Sequence, residues 1–387
     1  MTISPQRIGP ECPDISWVAV LNSRQGKYPQ RGEEWIRATC DAVRDAHASG
    51  KGIISSLGLK TWEISLWAAG KVGAPVTLVL PHSKANPETL LEQIAEDYQI
   101  HPKHLTALLF PAPHGPHRPK ADWPERDRLV VSFADEIWPV SLRPGGNLEA
   151  LVQSGGKPVM ETHRVAYHPM EDHPIQPIEQ ADLAPWTFPE TWPYLTHWTH
   201  SFGGPWPGEK PADYYANLAQ PGTGNPCSSP ATLRRILEEK LLRGSASRMP
   251  GGQRAVAFTA LPPGPAMETM RYRKRFQRWN YEPYGIALDR KMLLELGARP
   301  VTYESEGCKD RENLFVQGQR SGRADWSVEQ EWRFPGDLGL SQFGPGQAVV
   351  IVRNPQDRGD FQAISPWPVQ SLTDLGESRT ISCKVKP

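Results

Sequence analysis

Apolar residues in the first third of the chain fall in runs of strand length, each followed by a stretch with helical spacing. ISWVAVLN, from Ile15 to Asn22, is the first such run, and a polar loop follows it at once. The pattern then predicts a helix from about Glu33 to Ala48, a strand in GIISSLG, a helix from Lys60 to Lys71, a strand in APVTLVLP, and a helix from Asn86 to Asp97. Asn86-Pro87 supplies the last of these with a cap and a first-turn proline. Strands that read as continuous apolar runs between amphipathic helices are buried on both faces, so an α/β fold is expected, with an N-terminal doubly wound parallel sheet of Rossmann-like type. A proline-dense stretch with little periodicity, residues 161–192, reads as a linker. Beyond it, YLTHW, the helical SSPATLRRILEEKLLRGS, and the strands AVAFTAL and AVVIVR indicate a second, α+β domain. The expected organisation is therefore 1–160, 161–192 and 193–387.

Composition narrows the class. A length of 387 residues suits two domains, and 38% hydrophobic with 22% charged residues is the balance of a folded chain. No run approaches the ~20 apolar residues of a membrane helix, and the first 15 residues lack the basic-then-apolar build of a signal peptide, so a cytoplasmic protein without a membrane partner is expected. Five scattered cysteines without a Cys-x-x-Cys pair point to free thiols. Net charge is zero, but from Tyr194 onward 25 Lys and Arg stand against 20 Asp and Glu, which makes the second half the better partner for phosphate groups. His114, His117, His163, His168 and His173 stand in proline-rich loops with no matching ligand spacing, and no metal is expected.

Ligands of parallel sheets bind at the carboxyl ends of the strands. Three such ends carry polar or glycine-rich loops: Asn22-Ser23-Arg24, Ser55-Ser56-Leu57-Gly58, and Arg143-Pro144-Gly145-Gly146-Asn147. In the third, paired glycines would let backbone N–H groups approach a phosphate at a helix N-terminus beside Arg143, although a plain tight turn reads the same way. SSLG followed by TWE, IWPVSLRPGGNLE and GKPV resembles the nucleotide-binding superfamily of the DNA-processing protein A family and the lysine-decarboxylase-like (LOG) phosphoribohydrolases, called SLOG, over about Ile15 to Val159. The resemblance implies a nucleotide or nucleotide-derived ligand held by Asn22, Ser23, Arg24, Ser56, Gly58, Arg143, Gly145, Gly146 and Asn147. The chain departs from the phosphoribohydrolase motif after Pro144-Gly145-Gly146, so Glu149 is shifted from the catalytic glutamate position. Glu63 is either a sugar contact or an acid in the first turn of its helix.

In the second domain, MRYRKRFQRWNYEPY interleaves Arg271, Arg273, Lys274, Arg275 and Arg278 with Tyr272, Phe276, Trp279 and Tyr284. Such a mixture suits a phosphate-bearing ligand whose bases stack; a solvated basic helix face is the alternative. Further on, Glu329-Gln330-Glu331 reads as part of a strand, with both carboxylates on one face and Trp332 and Phe334 on the other, or as a merely acidic edge. The order of His-x-Thr-His, helix, Val-x-Phe-Thr, Tyr-Arg cluster and Glu-x-Glu resembles DNA-modifying ADP-ribosyltransferase toxins and a family around abortive-infection proteins, over about Tyr194 to Val352. That resemblance implies NAD as cofactor, with His197 near the nicotinamide ribose and Arg271, Arg273, Arg275 and Tyr284 on cofactor or nucleic acid. Glu331 would stabilise the oxocarbenium-like cation and Glu329 would orient the acceptor.

Three expectations follow. The first is an ADP-ribosyl-transferring effector with a nucleotide-sensing N-terminal domain, in a phage-defence or DNA-modification setting. The second is an enzyme modifying a nucleobase or nucleotide in DNA without NAD, both domains contributing to one nucleic-acid site; DNA, single-stranded or modified, is the expected partner. The third is a non-catalytic module that binds DNA or senses a nucleotide.

Overall fold

Six strands of the first unit, β1 (Gln6–Ile8), β2 (Trp17–Asn22), β3 (Gly52–Ser55), β4 (Val76–Pro81), β5 (Leu105–Phe110) and β6 (Glu136–Ser141), form one sheet in the order β1-β5-β4-β3-β2-β6. All pairings are parallel except that of β1 with β5. Helices α1 (Glu34–Ala48), α2 (Lys60–Val72) and α3 (Pro87–Tyr98) step the chain from β2 to β5 in one direction, and right-handed crossovers repeated in one direction lay their helices on one face. Asn86 caps α3 as expected, its side chain accepting from the Glu88 N–H. α4 (Pro119–Phe133) carries the chain back toward β6 on the other face, where Val130, Val131 and Ala134 pack on Ala19, Leu21, Ile54, Val79 and Ile137, joined by Leu148 of α5 (Asn147–Ser154). The direction of winding reverses between β2 and β6, and the switch-point crevice of such sheets falls at the loops after these two strands.

The structure is a computed structural model that describes residues 5–81, 86–110, 119–168, 175–247, 249–305, 312–319 and 325–374. The chain divides into two compact units, Met1–Asp172 with Gly203–Pro226, and His173–Phe202 with Cys227–Pro387. This corrects the expected boundaries in two places. Residues 161–168 do not link but extend the edge of the first sheet: the Met160 N–H donates to Ile137 and that of Val165 to Val140, covering β6, which would otherwise be bare. Residues 203–226, expected inside the second domain, return to the first unit. Their helix α6 (Pro211–Leu218) buries Tyr214, Tyr215 and Leu218 against α2 and α3, and Arg31 donates to both the carbonyl and the side chain of Asn217.

The second unit is built on a seven-stranded sheet. Its chain runs through β7 (Tyr194–Trp198), α7 (Ser229–Glu239), β8 (Leu241–Leu242), β9 (Ala255–Thr259), α8 (Pro263–Glu268), the hairpin β10 (Tyr272–Arg273) and β11 (Arg278–Trp279), and β12 (Gly285–Asp289). It continues through α9 (Arg290–Glu295), β13 (Arg299–Pro300), β14 (Thr302–Ser305), β15 (Val316–Gln319), β16 (Glu331–Pro335), β17 (Leu338–Gly339), β18 (Ala348–Val352), α10 (Pro355–Gln362) and β19 (Val369–Ser371). The sheet order is β13-β16-β9-β7-β12-β18-β19, antiparallel apart from β18 with β19. One face packs Leu195, Val256, Phe258, Ile286 and Val350 under α7, α9 and α10. The other packs Trp198, Ala287 and Ile351 with Met267 of α8 and Trp279 of the hairpin. No helix among the described residues is long and apolar enough to cross a membrane.

Candidate functional site

At the crevice of the first unit, the loops after β2 and β6 are stitched together by their own polar groups. The Ser23 N–H donates to the Ser141 carbonyl at 2.8 Å, and the Arg143 N–H donates to the Ser23 hydroxyl at 2.9 Å. Asn22 donates to Thr39 at 2.9 Å, while its own Oδ1 is buried without a hydrogen-bond partner. Gly145, at φ +68°, adopts a left-handed backbone that favours glycine, and its N–H points at the Glu149 carboxylate 2.7 Å away. The cradle expected to take a phosphate is thus occupied by an acid of the same chain. Glu149 is in turn 3.5 Å from Arg164, which also pairs with Glu161, beside a cavity of about 430 Å³ behind α5. Arg143 and Asn147 are exposed at the loop.

A second cavity, of about 250 Å³, opens over the ends of β2 and β3. Arg24, Gln25, Lys27 and Trp35 line one side; Gly58, Lys60, Thr61 and Glu63, at the start of α2, line the other. Leu59 occupies the cap position of α2 and has no side chain able to accept from the first-turn N–H groups, and Glu63 is the acid of that turn. Thr61 is 3% exposed and its hydroxyl makes no hydrogen bond. The Gln25 Oε1 is buried in the same condition. Lys60 reaches across to the Lys27 carbonyl at 2.8 Å. Glu63 is held by the Gly58 N–H at 3.1 Å and the Tyr215 hydroxyl at 2.7 Å, and burial, then the nearby Glu63 charge, hold Tyr215 neutral by raising its pKa well above the ordinary tyrosine value. Three cations, an uncapped helix start and the unsatisfied Thr61 hydroxyl, the one donor among these buried atoms, make a site for an anion.

In the second unit, Glu329 and Glu331 do not lie on one strand. Glu329 ends a single 3-10 turn, Gln330 takes a left-handed conformation at φ 45°, and only Glu331 enters β16, so the expected alternation breaks between them. Glu331 accepts from Arg333 Nε at 2.7 Å and from Tyr303 at 3.3 Å, and the Arg333 guanidinium, 3% exposed, also holds Leu314 and Gln317. Glu329 faces Arg273 Nη2 at 3.3 Å. Burial raises its pKa, opposed by Arg273, while Glu331 raises it further. Arg273 also lies over the Trp326 ring, 5.6 Å from its centroid. Register places Glu331 opposite Thr259 and Thr259 opposite Thr196, and the hydrogen-bonded neighbour of His197 is Ile286. Residues paired across a sheet share a face, so Glu331 and His197 project from opposite faces. His197 Nδ1 donates to the Ala257 carbonyl, 2.9 Å away, and the ring packs edge-on to Phe258; burial lowers its pKa.

No protein-family model matches the chain, and no curated protein matches it. Among solved structures it is similar to DNA processing protein A from Helicobacter pylori, described for its single-stranded DNA binding mode, at 17% identity and a TM-score of 0.28. That likeness covers 37% of this chain, which spans only 63% of the other protein's length. The molybdenum cofactor carrier protein from Chlamydomonas reinhardtii is similar in two structures, at 15% and 13% identity and TM-scores of 0.25 and 0.23, over 38% of this chain and 74% of that one. Likeness at this level says nothing of ligand or activity.

Against the expected sites, the structure gathers Asn22, Ser23 and Arg143 at one crevice and Arg24 and Gly58 at the neighbouring cavity. Ser56 is removed from both, because its hydroxyl is fully buried and donates to the Val79 carbonyl at 2.7 Å. Tyr284 belongs to the core under α10, donating to Asp357, and not to the arginine cluster. That cluster is a hairpin and not a helix face; Arg271 is exposed at its base, and the side chain of Arg275 lies outside the described residues, as do His114, His117 and His173. With His197 on the far face and Glu331 engaged by Arg333 and Tyr303, the residues that the resemblance implies for NAD do not assemble into one site. Lys27, Lys60 and Thr61 were not expected. The signal for two of them is a Lys-Thr pair opening a helix one residue after the glycine of a strand-end loop.

Proposed function

We propose that the first unit binds a nucleotide or nucleotide-derived ligand at the carboxyl edge of its parallel sheet, with a phosphate in the cavity of Arg24, Lys27, Lys60 and Thr61. The observation that carries this is the buried Thr61 hydroxyl, unpartnered on the wall of a cationic cavity at an uncapped helix start. A cavity of about 250 Å³ is smaller than the ~300–1,000 Å³ pockets that enclose drug-sized ligands, so it seats the phosphate and the adjoining part of a nucleotide. The remainder extends toward the crevice at Ser23 and Arg143. Thermal unfolding with ATP, AMP, ADP-ribose, NAD and inorganic phosphate tests it: a binder present at a hundredfold its Kd stabilises the unit by about 2.7 kcal/mol. The shift should shrink in Lys60→Ala and Arg24→Ala. A panel with no shift, or variants that respond as fully as the native chain, sinks the reading.

A second reading, acid-base chemistry on a nucleotide or DNA base by the second unit, is favoured by Glu329. Its carboxyl takes a proton more readily than an exposed one and stands beside Arg273. Mass spectrometry of oligonucleotides and of NAD after incubation tests this reading. Any conversion should be lost in Glu329→Gln, and retention of full conversion in that variant rejects Glu329 as the acid or base.

A further inference from the structure

The hairpin of β10 and β11 carries Arg271, Arg273, Lys274, Arg275 and Arg278 and no acidic residue between Arg271 and Asn280. It is fastened at its base: the Arg271 N–H donates to Asn280 Oδ1 at 2.8 Å, the Asn280 N–H to the Arg271 carbonyl at 3.1 Å, and the Asn280 amide to the Thr269 carbonyl at 3.1 Å. The two ends of the hairpin are thereby tied to each other. Arg271 and Lys274 are exposed on it. Among tryptophans with described side chains, Trp326 alone is exposed, at 40%, and Arg273 lies over its ring. Phe276 at the hairpin tip is 39% exposed, and Val328, in the turn that carries Trp326, is 48% exposed.

An indole left in solvent forfeits the burial that the other described tryptophans gain at least in part. Its cost is explained when a flat partner covers it. The charge around it selects that partner: the two acids of its own turn are engaged, Glu329 by Arg273 and Asp325 by Ser327, while the guanidinium and ammonium groups of the hairpin, with no acid among them, attract a chain of phosphates, and the ring offers a stacking platform to any base. In a duplex the bases are stacked on each other, so among nucleic-acid chains a single strand is the form that brings a run of phosphates and bare π-faces together. We propose that the β10–β11 hairpin and the adjoining turn at Trp326 form a docking surface for single-stranded nucleic acid. Arg271 and Lys274 meet its phosphates and Trp326 stacks on a base. The surface stands in the second unit and is independent of the cavity proposed for the first.

Fluorescence anisotropy of a labelled oligothymidine with the full chain, titrated at several salt concentrations, tests it. Affinity should fall with salt, and the slope of log K against log salt should drop by about one to two in an Arg271→Ala, Lys274→Ala double variant, near 0.7 per lost contact. Trp326→Ala should weaken binding about tenfold or more with the salt slope unchanged, and binding should quench tryptophan emission in the native chain less fully in Trp326→Phe. Because Trp326 is exposed, its variants should unfold at the native temperature; if Trp326→Ala does not fold, Phe276→Ala carries the stacking test. The proposal is overturned if the oligonucleotide does not bind, if a duplex of matched length binds as tightly, or if both the double variant and the aromatic variants bind as the native chain does.

Discussion

Thr61→Val separates a binding residue from a structural one by the direction of its effect. The side chain is 3% exposed and its hydroxyl has no hydrogen-bond partner, so the folded protein carries the desolvation cost of that group, on the order of 1–3 kcal/mol. Valine keeps the branched shape and has nearly the same helix propensity, so little else changes at the start of α2. The free variant should therefore be at least as stable as the native chain and gain about 1 kcal/mol, or roughly 2–4 °C in melting temperature for a unit of this size. With ligand the sign reverses. Losing one hydrogen bond to a charged phosphate costs about 1.5–3 kcal/mol, so affinity drops about 10- to 100-fold. At a ligand concentration that stabilises the native chain by about 2.7 kcal/mol, the variant should gain only about 0.4–1.4. Differential scanning fluorimetry with and without the best nucleotide of the panel reads both effects at once. A free variant that melts lower than the native chain means that the hydroxyl is already satisfied, and an undiminished ligand shift means that it does not touch the ligand; either outcome refutes the reasoning.

Other perturbations probe the remaining framework. Arg333→Ala should cost about 3–5 kcal/mol in a urea denaturation series, because it strands the Glu331 carboxylate in a half-buried setting, and a loss below 1 kcal/mol would deny the pair a structural role. Gly70→Ala should destabilise by about 1–2 kcal/mol despite the better helix propensity of alanine, since the added methyl meets the backbone carbonyls of Tyr98 and Gln99; a gain in urea midpoint would contradict so close an approach. Glu282 is buried, and burial raises its carboxyl pKa above the ordinary value of 4.5 against the pull of its hydrogen bonds from Ser201. The folded state then binds this proton more readily than the unfolded state, so the residue's contribution to stability grows as pH falls through the raised value toward 4.5 and is lost as pH rises above it. Glu282→Gln should flatten that part of the stability-pH curve, and an unchanged curve would remove Glu282 as its source.

The sequence disclosed the first unit well because strands buried on both faces cannot hide their apolar runs, and the strand-end loops at Asn22 and Arg143 followed from that alternation. Strand order is a different matter: that β6 returns beside β2 is set by pairing, which no local pattern records. In the second unit a period-two reading of Glu329 and Glu331 failed at Gln330, whose left-handed backbone turns the chain before the strand starts. Whether His197 and Glu331 share a face depends on a register carried through β9 and β7, and one step of slip would reverse it. Thr61 stayed hidden for a plainer reason. A threonine in the first turn of a helix ordinarily finds a partner, and only the structure shows that this one has none.

The path of residues 203–226 bears on how this molecule could have been assembled and could be taken apart. The chain passes from the first unit to the second after Asp172, returns after Phe202, and leaves again after Pro226, with the Phe202 N–H fastened to the Cys227 carbonyl at the foot of the excursion. A single recombination event between the halves would strip α6 from the first unit and baring Tyr98 and Glu63 would follow, while Tyr214 and Tyr215 would hang from the second unit with nothing to cover them. Three joints must be cut to exchange either unit for a homologue, so the two are expected to travel through lineages as one block, and shuffled descendants of a single half should be recognisable by a shortened connection between β7 and α7.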